Sequence, residues 1–412
     1  MIRKAFQDTL PDGTRIVVVP EPAADAVGMA VHVRVTDADA EGRDGMCSLA
    51  AECLGKETPS RTGTLLRGAV ESSVGFGVDC DPWGVSLWAG SRAESTEIAR
   101  TARLLVLDTL ANPTFSAENL ANARAALGRR AALLGDDPVA TALAIATRKA
   151  FGNGSGPSID QQSLARIGPS QLDAFHRTFF VPERTTIAIH GRVEPDSLRT
   201  LVRSLLSVGD WGRRPKARFR SIPDFEPDGN RPRDITVARR GGLGLATLTW
   251  VGPGTDRGTA AVAEAALLDT LAGDGKGSRL FGVRERTGMV YEIRSRWVPG
   301  PRASLMQWWC VGDTSGKDLR DALLGAARGI AAADPAVSSE ELDRAKGLLL
   351  GRRRTSADHP VWRARRTASA IGLGMGEFEA GYAKWIAEMD SVHLGKAAAQ
   401  WFSMPPLVVR TN

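Results

Sequence analysis

Residues 271–291 read LAGDGKGSRLFGVRERTGMVY, in which a glycine turn joins an apolar helical run to a short helix and a strand-like segment. Arg284 and Tyr291 stand seven residues apart, close to two helical turns, so we expect both side chains to project the same way. A guanidinium and a phenol that face one volume can hold a peptide carbonyl and stabilise negative charge growing on its oxygen. On spacing alone, an exposed helix arginine and a half-buried tyrosine are the favoured interpretation.

This segment resembles the second half of the insulinase/pitrilysin-type (inverzincin) metallopeptidases, in particular the mitochondrial-processing-peptidase-like members built from two half-size chains. In that family the arginine and the tyrosine reach a zinc site on another domain, so the resemblance implies a catalytic role for Arg284 and Tyr291. The resemblance runs along nearly the whole chain. The residues that carry it are Ser278, Arg279, Leu280, Phe281, Arg284, Glu285, Gly288 and Tyr291.

The bulk composition is that of a soluble globular protein. The 412 residues are 43% hydrophobic and 24% charged, which predicts two or more domains and argues against disorder. The sequence contains no run of eighteen apolar residues, which a membrane-spanning helix would need. The first fifteen residues also lack the apolar stretch of a secretory signal, so we expect a cytoplasmic protein. The net charge of +6 is scattered, which argues against a nucleic-acid partner and suits a weak attraction for acidic peptides.

Turn signals and hydrophobic periodicity predict an α+β fold made of two similar tandem domains, each a mostly antiparallel sheet packed with helices. Asp12-Gly13 between apolar runs predicts an N-terminal hairpin. The Pro/Arg/Gly-rich stretch 209–234 is interpreted as a linker between a domain at 1–208 and a domain at 235–412. The family resemblance implies the processing-peptidase/LuxS-like metallohydrolase fold.

The zinc signature of the family is degenerate in this chain. Where the family carries H-x-x-E-H, residues 47–53 read CSLAAEC, which puts Ser48 and Glu52 at the two histidine positions and Ala51 at that of the general-base glutamate. The third ligand, a glutamate before an Asp-Asp-Pro turn, is replaced by arginine at Arg130, which follows Arg129. Zinc requires N, S or O donors at fixed spacing, so we expect no metal in this chain.

Four cysteines, with no C-x-x-C spacing, suit buried reduced thiols better than a disulfide framework. A substitute metal site made of Cys47, Glu52, Cys53 and Cys80 is the alternative. Because residues 47 and 53 face well apart on a helix, the ordinary core interpretation is favoured. The four cysteines are Cys47, Cys53, Cys80 and Cys310.

The glycine turn at residues 273–278 superficially resembles a phosphate loop. A Walker A motif needs a strand before it and Gly-Lys followed directly by Ser or Thr, whereas here a helix precedes and Gly277 intervenes. The family resemblance implies instead that Gly273, Gly275 and Gly277 form a flexible loop that binds an extended peptide substrate. His190, at a strand end, is interpreted as a structural histidine.

The resemblance implies the zinc-less subunit of a heterodimeric metallopeptidase, inactive alone, whose homologous partner carries zinc and the base while this chain supplies Arg284 and Tyr291. The rival hypothesis is a catalytically inert structural or peptide-binding homologue. A self-sufficient enzyme of another class would need a nucleophile and a base, and the sequence offers no such pair. Leader-peptide removal and general turnover of small peptides both stay open as the role of such a pair.

Overall fold

The structure is a computed structural model, and its two compact units are discontinuous in sequence. Unit 1 comprises Met1–Ala131, Asn153–Arg220 and Ser356–Gly372. Unit 2 comprises Ala132–Gly152, Ser221–Thr355 and Leu373–Asn412. The described residues are 5–40, 44–58, 74–151, 161–214, 234–238, 242–273, 275–332, 336–355 and 359–412.

The two compact units do not correspond to a single division of the chain at a linker. Residues 215–233, most of the stretch 209–234 interpreted as the linker, lie outside the described residues. Two helical segments group with the half of the chain to which they do not belong in sequence: Ala132–Gly152 is part of unit 2, and Ser356–Gly372 is part of unit 1.

Unit 1 is built on a six-stranded sheet in the order β1-β2-β6-β3-β5-β4. Neighbouring strands are antiparallel except β2 and β6, which are parallel. The predicted hairpin is confirmed, since β1 and β2 are joined by a turn in which the Gly13 amide donates to the Leu10 carbonyl. The strands are β1 (Phe6–Thr9), β2 (Arg15–Pro20), β3 (Ala26–Val33), β4 (Val74–Asp81), β5 (Gly84–Arg92) and β6 (Thr185–Gly191).

Unit 2 repeats this plan with a five-stranded sheet in the order β7-β11-β8-β10-β9. The pair β7 and β11 is parallel and the other pairs are antiparallel. Each sheet thus has one parallel pair, which lies at or next to the edge formed by its first strand in sequence. The strands are β7 (Asp234–Val237), β8 (Gly244–Pro253), β9 (Val290–Val298), β10 (Ala303–Gly312) and β11 (Leu407–Thr411).

Helices cover both sheets, and the predicted α+β class with two similar halves is confirmed. None of the helices in the described residues is long and apolar enough to cross a membrane. A π-helix at Arg103–Ala111 continues the α-helix Ser95–Ala102. The helices are α1 (Met46–Cys53), α2 (Ser95–Ala102), α3 (Ala117–Asp136), α4 (Pro138–Phe151), α5 (Gln161–Ala165), α6 (Pro169–Phe179), α7 (Pro195–Leu206), α8 (Thr259–Gly273), α9 (Arg279–Thr287), α10 (Gly316–Ala331), α11 (Ser339–Thr355), α12 (Pro360–Gly372), α13 (Gly376–Ala380), α14 (Tyr382–Glu388) and α15 (Ser391–Phe402).

In unit 1, α12 packs on the sheet face that is turned away from the main core. Ala30 and Ala188 of the sheet meet Ala364 and Ala368 of the helix, and these small side chains allow a close approach. A Cβ added at Gly28 would lie 2.2 Å from the carbonyl carbon of Pro360, so only glycine fits there. Small residues on this face of the sheet therefore allow the helix to pack closely against it.

In unit 2, α4 occupies the matching face of the second sheet. Ala142 and Ala146 pack against Leu245 and Val409. The alternating residues of β8 point the other way into the main core, as the period of two in a strand requires. Each sheet thus has a helix from the opposite half of the sequence on one face and its own helices on the other.

Candidate functional site

The helix that replaces the zinc motif is part of the hydrophobic core of unit 1. Seven of the eight residues of α1 are buried, among them Ser48 (5% exposed) and Ala51 (6%), while Glu52 is half-buried. The Asp37 carboxylate accepts from the backbone amides of Gly45 (2.8 Å) and Cys47 (2.7 Å), which fixes the start of the helix. A hydroxyl, a methyl group and one carboxylate at the three signature positions do not fit zinc.

The cysteines near this helix behave as core residues. A hydrogen bond with Cys80, together with burial, holds the pKa of Cys47 well above its usual value, and the Cys47 thiol donates to the Val35 carbonyl at 3.4 Å. Burial raises the pKa of Cys53 to about 12. Cys47, Cys53 and Cys310 are buried and free, as predicted, whereas Cys80 is half-buried. Neutral thiols in apolar surroundings are poor metal ligands.

The segment that would supply a third ligand is a helix junction. Arg129 and Arg130 are exposed on α3. The Asp137 carboxylate accepts from the amides of Val139 (2.9 Å) and Ala140 (3.1 Å) and so caps the start of α4. In the part of the chain that the structure describes, no three His, Cys, Asp or Glu side chains are grouped to hold a metal ion.

The glycines between α8 and α9 differ in their surroundings, since one is closely packed and another borders open space. Gly273 ends α8, and a Cβ there would lie 2.3 Å from the Ser295 amide nitrogen, so this glycine permits close helix–strand packing. Gly275 (φ +71°) and Gly277 (φ +84°) both adopt left-handed backbone conformations, which favour glycine. Nothing lies within 4 Å of the Cβ position at Gly275, whereas that at Gly277 is 3.3 Å from Arg344 Cδ. Substrate binding by the three glycines stays a prediction.

Arg284 lies on the exposed side of α9, where its guanidinium carbon is 5.6 Å from the centre of the Phe281 ring. The side-chain hydroxyl of Ser278 caps the helix start by accepting from the Phe281 amide at 3.3 Å. Gly288 (φ +64°) ends the helix through its amide, which donates to the Arg284 carbonyl at 3.0 Å. Capping at both ends gives the arginine a fixed backbone position.

Tyr291 belongs to β9, so the helical spacing that was expected to align it with Arg284 does not apply. Glu292 pairs with Val311 and Val290 pairs with Gly312, which leaves Tyr291 as the extra residue of a β-bulge. The tyrosine is 55% exposed. A bulge re-aims the side chain of the extra residue, and this one presents the phenol at the start of an edge strand.

This bulge is hard to predict from the sequence. Its one signal is Gly312 on the neighbouring strand, because a Cβ there would lie 2.1 Å from the Met289 carbonyl oxygen. The tight approach of the Met289 backbone, which also accepts from the Asp313 amide at 3.1 Å, accompanies the irregular pairing. That contact depends on the pairing of two strands and is invisible to local periodicity.

The edge strand carries charged side chains after Tyr291. Glu292 accepts from the Trp309 indole N–H at 3.2 Å and lies 3.3 Å from the Arg294 guanidinium. Arg296 Nε donates to Gln307 at 2.8 Å, and burial lowers its pKa. The exposed phenol of Tyr291 can donate a hydrogen bond to a carbonyl or carboxylate oxygen of a peptide.

The predicted structural histidine is confirmed. His190 is 7% exposed, and its Nε2 lies 3.0 Å from the Thr367 hydroxyl on α12. Its Nδ1 lies 3.4 Å from the Glu21 carboxylate, which also pairs with Arg363. This network helps to hold α12 on the sheet of unit 1, which is a structural use of the side chain.

The positions of the degenerate motif lie in a buried helix, and comparison with known proteins shows which family the chain resembles. Residues 166–349 match the Peptidase M16 inactive domain. The chain is 29% identical over 302 residues to an uncharacterized zinc protease of Mycobacterium tuberculosis (strain H37Rv) and 26% identical over the same length to one of Mycobacterium leprae. The first alignment covers 70% of this chain and 65% of that relative, so the chain spans about 65% of its length.

Solved structures share the fold over the full chain. A protease from Helicobacter pylori superposes with a TM-score of 0.84 at 14% identity, covering 100% of this chain and 99% of that one. The peptidase M16 inactive domain from Pseudomonas fluorescens gives 0.82 at 15% identity, covering 99% and 97%. The chain therefore has the fold of these M16-type peptidases, and the family match at residues 166–349 confirms the resemblance that the sequence indicates.

Proposed function

We propose that this chain is the zinc-less subunit of a two-chain metallopeptidase that cleaves peptides. A homologous partner with an intact H-x-x-E-H motif would bring the metal and the base, and this chain would bring Arg284 and Tyr291. The observation that carries the proposal is the exposure of both side chains, one on a capped helix and the other at a bulged strand start.

The chemistry asked of the two residues is simple. The phenol of Tyr291 would donate a hydrogen bond to the carbonyl oxygen of the scissile peptide, where negative charge develops. The fork of Arg284 would hold a neighbouring carbonyl or carboxylate and orient the peptide. The open backbone at Gly275 would leave room for an extended peptide.

The rival function is an inert structural or peptide-binding homologue. It is favoured by the loss of every ligand in the signature helix and by the match to a domain described as inactive. The two hypotheses differ in whether an assembled pair requires Arg284 and Tyr291 for turnover.

Reconstitution separates this chain from a self-sufficient enzyme. The chain is purified alone and together with a homologous chain that carries H-x-x-E-H, sought first in the neighbouring reading frame. We expect no stoichiometric zinc by mass spectrometry and no cleavage of a fluorogenic peptide by this chain alone, but cleavage by the pair. Chelator-sensitive cleavage by this chain alone would contradict the divided site.

A further inference from the structure

Unit 2 contains a cavity of about 370 Å³ that lies apart from the glycine turn, Arg284 and Tyr291. Its lining includes Trp250 and Phe402, with Leu324, Ala327 and Arg328 of α10 on one side. Ligand pockets in proteins commonly measure about 300–1,000 Å³ and combine apolar walls with a few polar groups. This cavity has the size and the composition of such a pocket.

The aromatic part of the lining is rigid. The ring centres of Trp250 and Phe402 are 4.9 Å apart, and each lies 4.8 Å from that of Trp308. Trp250 is 2% exposed, and its indole N–H has no acceptor in the described part of the chain. The packed rings of Trp250 and Phe402 give the cavity a fixed apolar wall.

The rim of the cavity is also preformed. Pro405 and Pro406 connect α15 to β11, and their rings fix the backbone φ angles of this connection. Because the aromatic lining and the proline connection are held in place before a ligand arrives, binding costs little conformational entropy of the protein.

Charge decides which ligand suits the cavity. The single carboxylate in the lining, Asp234, is paired with Arg320 (3.0 Å) and Arg410 (3.0 Å). Arg328 is exposed, and no ion pair of this side chain occurs among the described residues. One doubly paired carboxylate cannot hold a metal ion, and one remaining guanidinium suits a single negative charge better than a phosphate.

We propose that this cavity binds an apolar carboxylate, with the apolar body against Trp250, Phe402 and Leu324 and the carboxylate on Arg328. The same chemistry is offered by a free small acid and by the C-terminal residue of a peptide that ends in a large apolar side chain. The site is independent of the proposed function, because it involves neither Arg284 nor Tyr291.

The test measures binding to the full chain by isothermal titration calorimetry. One pair of probes is 4-phenylbutanoate and its uncharged amide. The other pair is a short peptide ending in Leu-Phe with a free carboxylate and the same peptide amidated. We expect saturable binding of one acid per chain, on the order of tenfold tighter than the matched amide, because a charge-assisted hydrogen bond is lost in the amide. Binding of the free acid only, or of the peptide only, assigns the source.

Three variants locate the site. Arg328→Gln should remove the preference for the acid over the amide, and Leu324→Phe should fill the cavity and weaken both. Arg129→Gln, an exposed arginine of α3 outside the cavity, is the matched control and should leave binding unchanged. If Leu324→Phe fails to fold, the comparison of Arg328→Gln with Arg129→Gln still decides. Equal binding of acid and amide, equal loss in both arginine variants, or no binding of any probe would overturn the proposal.

Discussion

The signature helix of unit 1 and the α9–β9 segment of unit 2 have opposite relations to solvent. In α1, Ser48 and Ala51 are 5% and 6% exposed, and the side chains around them are core residues. In the α9–β9 segment, Arg284 is exposed and Tyr291 is 55% exposed. The difference teaches that the positions aligned with the zinc motif of the family belong to the core in this chain, whereas the predicted arginine and tyrosine are exposed to solvent.

The largest expected effect comes from restoring one signature residue. Ala51→Glu places a carboxylate in the core, which we expect to lower the free energy of unfolding by roughly 3–5 kcal/mol, since the charge has no partner there. Arg284→Glu, at the exposed position, should change it by less than about 0.5 kcal/mol. Urea unfolding of both variants gives the comparison. A cost for Ala51→Glu below about 1 kcal/mol would show that the helix still borders an open site.

Acid should destabilise unit 1 by a somewhat smaller amount. Burial lowers the pKa of His32 and of His176 to about 3, from an ordinary value of 6.5. Because the unfolded chain binds these protons first, stability is lost as the pH falls from about 6.5 toward 3. Burial also raises the pKa of Asp81 to about 6 from 3.8, which acts in the opposite sense between those values. Two histidines against one aspartate leave about 1.4 kcal/mol lost per pH unit between roughly pH 6 and 4.

Hydrogen exchange shows where this acid effect acts. His32, His176 and Asp81 all belong to unit 1, so β3 and α6 should lose amide protection on going from pH 7 to pH 5 before β8 and β10 do. Exchange data are corrected for the intrinsic pH dependence of the exchange reaction. Equal loss of protection in both units would contradict the assignment of the effect to these three groups.

The smallest expected effect is on the stability of the exposed segment. Arg284→Ala and Tyr291→Phe should each change the free energy of unfolding by less than about 0.5 kcal/mol, since neither side chain is buried. Thermal and urea unfolding of the two variants check this. A loss above about 1.5 kcal/mol in either would indicate a packing role and weaken the proposal that the residues are kept for a substrate.

Much of the fold could be predicted from local sequence. The Asp-Gly hairpin and the two similar sheet-and-helix units follow from turn residues and from the period of two in strands, whereas the degenerate zinc motif is recognised through the family resemblance. The exchange of α4 and α12 could not be predicted, because an alanine-rich face shows that a helix is buried but not which sheet it meets. Ala364 and Ala142 look alike in sequence yet belong to different units.

The candidate site was less accessible to sequence analysis. The residue types at Arg284 and Tyr291 were found through the family resemblance, but the helical spacing invoked to align them was wrong because α9 ends at Thr287. The position of the tyrosine depends on a bulge against Gly312, a contact set by strand pairing. The cavity beside α10 is not predicted from the sequence, since its lining comes from β7, β8, α10, α15, β11 and the connection between the last two.

The central claim, that this chain lends Arg284 and Tyr291 to a peptidase site, is tested most directly by steady-state kinetics of Tyr291→Phe in the reconstituted pair. The phenylalanine keeps the ring and removes one hydroxyl donor. Tyr382→Phe, the other tyrosine of the chain, is the matched control. We predict that Tyr291→Phe lowers kcat on the order of a hundred- to a thousandfold, with association of the pair and zinc content unchanged, while Tyr382→Phe leaves kcat near that of the native pair. Turnover by Tyr291→Phe equal to that of the native pair would contradict the claim and return this chain to the inert structural homologues.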